Sequence, residues 1–468
     1  MKKIFVLCAA AIVALSAVSC QKDDTVGVQA PEFNKEGLQK YTFTVSGVET
    51  KMAYDTDKTN HKLTPKWAVG DKIYVYGSET GACFQVKDVA DNGKATVEGY
   101  AEPGSGQLTL IYHPSLSGKP GNFNLKAQEG HLDKNFPAIY YGSVDLGATK
   151  PTASFNLKSF ILEISKVTGI SKDSKIDSII VEGSNIASGS FSKDNIDMDK
   201  ISGSSVKVTL TSWANSSNVV GNDGTLPESV FISLAPGSIS KITVWTNDKS
   251  EYCWTPANAI SLTGGEYKFV STKTFTLVYP GTDESPVKVG DLLWAPVNCG
   301  FDNSHPNGLL YQWGRKYGQV YNPSTVYGPL SRGDDSNNKT SHIKAGDNSW
   351  YSYSGSNDPW DADNYNPCPD GWHVPTKDQL LSLFTTDSDH KWKTDTGLAL
   401  FPKAGVNSCE GNGSESGVEG YYWSANNDGN IASYYMHIAD DNTVRMKNKS
   451  DNGYRSRGMS VRCVKDAN

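Results

Sequence analysis

Trp67-Ala68-Val69-Gly70-Asp71-Lys72-Ile73-Tyr74-Val75-Tyr76 decides how this chain folds. Gly70-Asp71 is a tight-turn pair, and the residues after it alternate with the period of two that a pleated strand requires. Trp67 is placed to pack under the strand that leaves the turn. The same alternation recurs in Tyr41-Thr42-Phe43-Thr44-Val45 and in Leu108-Thr109-Leu110-Ile111-Tyr112, with Gly, Asn, Asp and Pro clusters between. No helical period is sustained in this region. The pattern predicts antiparallel sheets packed face to face as a sandwich.

A second series of strands begins near Ala153. Ser154 to Ile164 reads as one strong strand, followed by Ile176–Val181, Val206–Leu210, Val230–Leu234, Lys241–Trp245 and Gly265–Val270. It predicts a second sandwich of about the size of the first, with expected limits 40–152 and 153–273. The remaining 274–468 form a third unit. For 468 residues, three units match the usual size of one core per ~150 residues.

Composition narrows the function classes. The net charge of −7 offers no basic footprint, so nucleic acid is not an expected partner. Charged residues make up only 20%, with Gly, Ser, Asn, Thr and Tyr abundant, the balance of a loop-rich extracellular β protein. All six arginines lie from Arg315 onward, which suggests a separate origin for the third unit.

The first residues read as an export signal. Lys2 and Lys3 precede an apolar run from Ile4 to Val18, too short for a membrane span of ~20 residues. The run ends in Leu15-Ser16-Ala17-Val18-Ser19-Cys20. This stretch resembles the lipobox of bacterial lipoproteins, which implies a signal over 1–19, cleavage before Cys20, thioether lipidation of its sulfur, acylation of the new amine and an anchor in the outer membrane. Gln21-Lys22-Asp23-Asp24 resembles the surface-export tag of Bacteroidota lipoproteins, and the polar 20–39 stretch reads as a flexible tether. Cys8 leaves with the signal. Six cysteines then remain, and six in an exported chain allow 15 connectivities. There is no Cys-x-x-Cys, so neither a zinc ribbon nor a thioredoxin-type site is supported.

Glu49-Thr50-Lys51-Met52-Ala53-Tyr54, the Trp67–Tyr76 stretch, Phe155 to Ile164 and Gly264-Gly265-Glu266-Tyr267 together resemble the tandem transthyretin-like β-sandwiches of the Bacteroidota fimbrillin family. The resemblance implies pilin subunits as partners and assembly by strand donation after trimming by an Arg-directed protease. Here the pattern departs, since no Arg precedes Arg315. Trimming falls to Lys22, Lys35, Lys40 or Lys51, or does not occur, which favours a cap or tip subunit, or a lipoprotein that stays unpolymerised, over a repeating shaft subunit.

The third unit holds Cys368-Pro369-Asp370-Gly371-Trp372-His373-Val374-Pro375-Thr376, with Thr376 as helix N-cap ahead of Leu380, Leu381 and Phe384. Together with Leu310–Lys316, Tyr422-Trp423-Ser424-Ala425 and Ser460–Lys465, it resembles the major paralogous domain of Fibrobacter, an α+β relative of C-type lectins. That resemblance implies a Cys368–Cys463 bridge. Cys299 and Cys409 are then the pair left in the unit, and Cys83 and Cys253 are expected as buried thiols. Trp313, Trp372, Trp423 and His373 are expected to be structural.

Tyr421 to Arg457 mixes Tyr with short polar residues, the chemistry of adaptable binding loops. The candidate ligand residues are Tyr421, Asn426, Asn427, Asp428, Tyr434, Tyr435, His437, Asp440, Asn442 and Arg445. Asn357 to Asn364 has oxygens at alternating positions of the kind Ca²⁺ takes, but the Glu-Pro-Asn and Trp-Asn-Asp signatures of calcium-dependent lectins are absent, so no metal site is assigned and no cofactor is expected. Some lectin-like folds are oxidases that use a Cys pair, yet no nucleophile with a nearby base, no paired carboxylates and no phosphate loop are recognisable, so the expectation is no enzyme. Two readings follow. The chain is a lipid-anchored fimbrial tip or accessory adhesin whose head binds a glycan or protein, or it is a glycan-capture lipoprotein of a polysaccharide uptake system.

Overall fold

The computed structural model describes residues 37–467, apart from 47–53, 58–61, 79–81, 117–119, 328–338, 346–349, 351–359, 361–364, 387–389, 395–398 and the single positions 105, 115, 134, 215, 271, 272, 325 and 430. Cys20, Lys22, Lys35, Lys51, Glu49 to Ala53 and the 357–364 loop other than Trp360 lie outside the described residues. The chain is mainly β. Among the described residues no helix is long and apolar enough to cross a membrane.

Seven strands close into a barrel in the order Gln39–Val45, Thr152–Leu157, Tyr140–Asp145, Gln107–Tyr112, Lys72–Val75, Cys83–Val89 and Ala95–Ala101. The Trp67–Tyr76 stretch does what its sequence dictates. Gly70 takes φ +100°, a region open to glycine, while the Asp71 carboxylate accepts from the Ala68 amide at 2.8 Å. The Trp67 indole donates to Ser46 O at 2.8 Å and meets Tyr112 and Phe155 edge-on, at 4.9 and 5.2 Å between centroids. Lys40, one of the four trimming positions, sits inside the first strand and pairs with Glu98 at 2.8 Å.

The strand expected over Ser154 to Ile164 is two strands, Thr152–Leu157 and Phe160–Lys166, in different sheets. The apolar phase slips by one across the break, from Phe155 and Leu157 to Phe160, Leu162 and Ile164. Ser159 is buried there, and its hydroxyl accepts from the Ile139 amide at 3.1 Å. After the break the strand runs between Thr225–Leu234 and Tyr267–Val270. Phe160, Leu162 and Ile164 enter the second core, while Ile161 joins Phe231 and Tyr267 in the core of the barrel. One strand thus feeds two cores and is buried on both faces.

The opposing sheet runs Thr276–Val278, Glu251–Trp254, Ser238–Thr246, Ile176–Ser184, Ser205–Thr209 and Ala127–Gln128, with Ile260–Ser261 beside Ser238–Thr246. Its two edges cross the limits expected from sequence. Ala127–Gln128 comes from before 152 and pairs parallel to Ser205–Thr209, and Thr276–Val278 comes from after 273. Conversely, Thr152–Leu157 belongs to the barrel. Strand pairing interlocks barrel and sheet pair.

The C-terminal part has one sheet ordered Gly413–Ser414, Val406–Asn407, Gly458–Ser460, Gly420–Asp428, Ala432–Ile438 and Val444–Lys447, with Leu310–Gln312 beside Gly458–Ser460. A smaller sheet joins Val287–Val289, Leu292–Trp294 and Val464–Asp466. Thr376 caps the helix Lys377–Leu381 in a reciprocal box with Gln379. Trp313, Trp372 and Trp423 are core residues, each at most 3% exposed. Their indoles have structural work: Trp313 donates to Ser424 O and Trp423 to Tyr311 O.

Cys368 and Cys463 are bridged. The Cys299–Cys409 pair is a correction, for these two are not cross-linked. The Cys299 thiol lies in the core beside Cys368 and Cys463 and donates to Pro367 O at 3.0 Å, whereas Cys409 sits in the turn of the Val406–Ser414 hairpin, outside that core. Cys253 is buried as expected, but Cys83 is only half-buried.

Candidate functional site

The ten candidate ligand residues lie on the Gly420–Asp428, Ala432–Ile438 and Val444–Lys447 ribbon, but they do not form one surface. Tyr421 and Tyr435 are buried, at 7% and 2% exposure. Tyr421 donates its hydroxyl to Glu415 and Glu419, and Tyr435 donates to Asp451 O at 2.6 Å. Both point into the core from alternate positions, so ring area suited to a ligand is used for packing. This corrects their assignment as contact residues.

The other eight divide between the two ends of Ala432–Ile438, roughly 20 Å apart for a seven-residue strand at ~3.3 Å per residue. At one end Asn426, Asn427 and Asp428 flank the hairpin turn. The Asn426 side chain accepts from the Lys377 amide at 2.6 Å, and Asp428 accepts from the Lys449 amide at 2.9 Å. Tyr434 is half-buried under the Lys377 ammonium, 4.2 Å from the ring centroid. At the other end Asp440, Asn442 and Arg445 are exposed, with Asn442 at φ +66° in the turn. His437 is on this side too, bonded to Glu419 at 2.6 Å and tilted against Tyr421 at 4.9 Å. Burial works to raise the Glu419 carboxyl, but the Tyr421 hydroxyl and His437 hold it below its ordinary value.

The sequence did not point to the groups that position these ends. Arg455 is fully buried; its guanidinium lies 4.2 Å over the Trp313 ring and donates to Ala432 O and Gly429 O at 3.2 and 2.6 Å. It therefore fixes the hairpin turn from beneath. The carbonyls it holds are more than 20 positions away in the chain, so no local pattern signals the role.

A second unforeseen cluster joins the C-terminal part to the sheet pair. Lys465, 8% exposed, donates to Asp248 O and to the Asp248 carboxylate at 2.8 and 3.0 Å, and to Ser250 Oγ at 2.8 Å. Burial works to raise the Asp248 carboxyl, but donations from Thr246, Ser250 and Lys465 prevail and hold it at about 2. A folded-state value below the unfolded ~3.9 means that the cluster stabilises the fold above pH ~4 and loses that contribution as pH falls toward ~2. Thermal unfolding of wild type against Asp248→Asn is expected to show a gap that is constant above pH 4.5 and closes between pH 4 and 2. A gap that is flat with pH would remove the cluster from the account. Among the described residues no group of three or more His, Cys, Asp or Glu side chains is placed to hold a metal ion.

No family model matches this chain. No curated protein matches it either. Among solved structures, a fimbrial protein from Bacteroides ovatus is 11% identical, covers 91% of this chain and 99% of its own, and has a TM-score of 0.25. A candidate cell adhesion protein from Bacteroides uniformis is 13% identical over 52% of this chain and 98% of its own, at a TM-score of 0.28. The tip fimbrial protein Mfa3 from Porphyromonas gingivalis, with a C-terminal truncation, is 10% identical over 53% of this chain and 84% of its own, at 0.24.

Proposed function

We propose that this chain is a surface-exposed outer-membrane lipoprotein that acts as a fimbrial tip or accessory adhesin, anchored through Cys20 and presenting the part after residue 274 to a glycan or protein ligand. The observation that carries the reading is the Lys2-Lys3 to Cys20 export and lipidation pattern, ahead of interlocked β units and a C-terminal part with exposed Asn, Asp and Arg at its ribbon ends. The interlocked barrel and sheet pair supply a stiff stalk. The Lys465–Asp248 cluster orients the head on that stalk. Lys40 lies within a paired barrel strand, so trimming there would cut into a folded element; this favours a subunit that keeps its first strand, such as a cap or tip.

Deletion of residues 280–468, which keeps the Thr276–Val278 edge strand of the stalk, is expected to leave the protein on the cell surface by immunogold labelling while reducing adherence of the cells several-fold. Unchanged adherence with surface label retained would refute the adhesin reading. Filament-end label supports the tip role, whereas label spread along filaments would overturn it.

A further inference from the structure

Tyr321 is the most exposed aromatic side chain among the described residues, at 42%, on a chain whose tryptophans are largely buried. Its ring is held in a particular pose. A Cβ built on Gly413 would lie 2.6, 2.8 and 2.9 Å from Cζ, Cε2 and Cε1 of Tyr321. Near-equal distances to three ring carbons mean that the hydroxyl end of the ring lies face-on over the glycine, not edge-on. Only a residue without a side chain permits this approach. With the ring end seated on the glycine, the residue still keeps 42% of its surface exposed.

The backbone under the ring is fixed from within. Asn407, fully buried, donates to Val320 O at 3.0 Å and accepts from the Asn322 amide at 2.9 Å, so one side chain clamps the residues on both sides of Tyr321. Asn322 takes φ +53° and accepts from the Gly413 amide at 3.2 Å. Asn322, next to Tyr321, and Asn412 and Ser414, on either side of Gly413, are all exposed and offer neutral donors and acceptors. In the turn before Gly413, Glu410 is paired with Lys344.

We infer that Tyr321 is a stacking platform for a neutral saccharide ring. A flat, preorganised aromatic face suits the apolar C–H face of a pyranose, and the surrounding amides and hydroxyl suit its equatorial hydroxyls. The side chains named beside the ring, Asn322, Asn412 and Ser414, are all neutral, which suits a neutral sugar better than a phosphorylated or acidic one. The platform is separate from the 421–445 ribbon, and its test reads saccharide binding and not adherence, so the two proposals fail independently.

The test is titration of the full chain with neutral hexasaccharides (cellohexaose, mannohexaose, xylohexaose and maltohexaose) followed by saturation-transfer NMR and calorimetry. At least one is expected to bind the wild type. Tyr321→Ala is expected to weaken that binding roughly tenfold or more, and Tyr321→Phe to retain it within about threefold. Gly413→Val keeps the tyrosine but displaces its ring, and is expected to weaken binding as Tyr321→Ala does. Unchanged thermal unfolding of Tyr321→Ala shows that the variant folds. Failure of all four saccharides to bind wild type, equal binding by Tyr321→Ala, or preference for a proline-rich peptide over every saccharide would overturn the assignment.

Discussion

Replacing Cys368 and Cys463 together by alanine is expected to lower the stability of the C-terminal part by ~4–5 kcal/mol, the loop-entropy value for a bridge across 95 residues. That is about a thousandfold in the unfolding equilibrium. The bridge joins the start of the Trp372 segment to the last strand, and its sulfurs lie in one core with Trp313, Trp372 and Trp423. Without it, the unfolded chain gains the freedom of the whole intervening loop. Alanine is the right replacement, because serine would bury hydroxyls at ~1–3 kcal/mol each if left unbonded. Both cysteines must go at once. Cys299 donates its amide to Val461 O at 2.9 Å and its thiol to Pro367 O at 3.0 Å, beside both ends of the bridge. A single variant would leave one sulfur close to Cys299, whose thiol is pushed up to about 11 by burial. Urea unfolding followed by tryptophan fluorescence measures the effect, with reduced wild type as a second route to the same state. An unfolding free energy within ~0.5 kcal/mol of that of oxidised wild type would show that the bridge carries no stability.

The β class was legible because Phe43 and Val45 alternate with Thr42 and Thr44 and are buried where that alternation places them, although in Lys72–Val75 the intervening Tyr74 is buried too. The Gly70-Asp71 turn was legible for a local reason as well. What escaped was pairing between distant segments. Nothing near Ala127–Gln128 announces that these two residues form the edge of a sheet otherwise built from 176–278. The break at Lys158-Ser159 carries no Gly or Pro; its one trace is the slip in apolar phase, which is easily missed within the strand-like stretch Ser154 to Ile164. The ribbon failed for a related reason. Tyr421 and Tyr435 have the same composition signal as paratope tyrosines, and only the register Tyr421↔His437 and Trp423↔Tyr435 decides which face each ring occupies. Tyr321 was passed over because the pose of its ring depends on Gly413, more than 90 positions later.

Arg455→Lys is expected to be nearly as damaging as Arg455→Ala, about 3 kcal/mol each, although lysine keeps the charge. The guanidinium does three things from one plane. It stacks on Trp313, donates through Nε to Ala432 O and Ser433 Oγ, and donates through Nη2 to Gly429 O. An ammonium is a compact, strongly hydrated point; it neither stacks flat nor spans acceptors on both sides of a turn. In a site with no exposure, carbonyls left without a donor add ~1–3 kcal/mol each. The backbone around the arginine is committed too, since its amide donates to Ile431 O and its carbonyl accepts from Trp313. The turn that carries Asn426, Asn427 and Asp428 therefore depends on a side chain that no ligand touches. Urea unfolding gives the stability loss, and amide hydrogen exchange at 426–433 gives the local one, with faster exchange there expected in both variants. A lysine variant as stable as wild type, with unchanged exchange at the turn, would show that charge alone suffices and that the planar fork has no part in holding this end of the head.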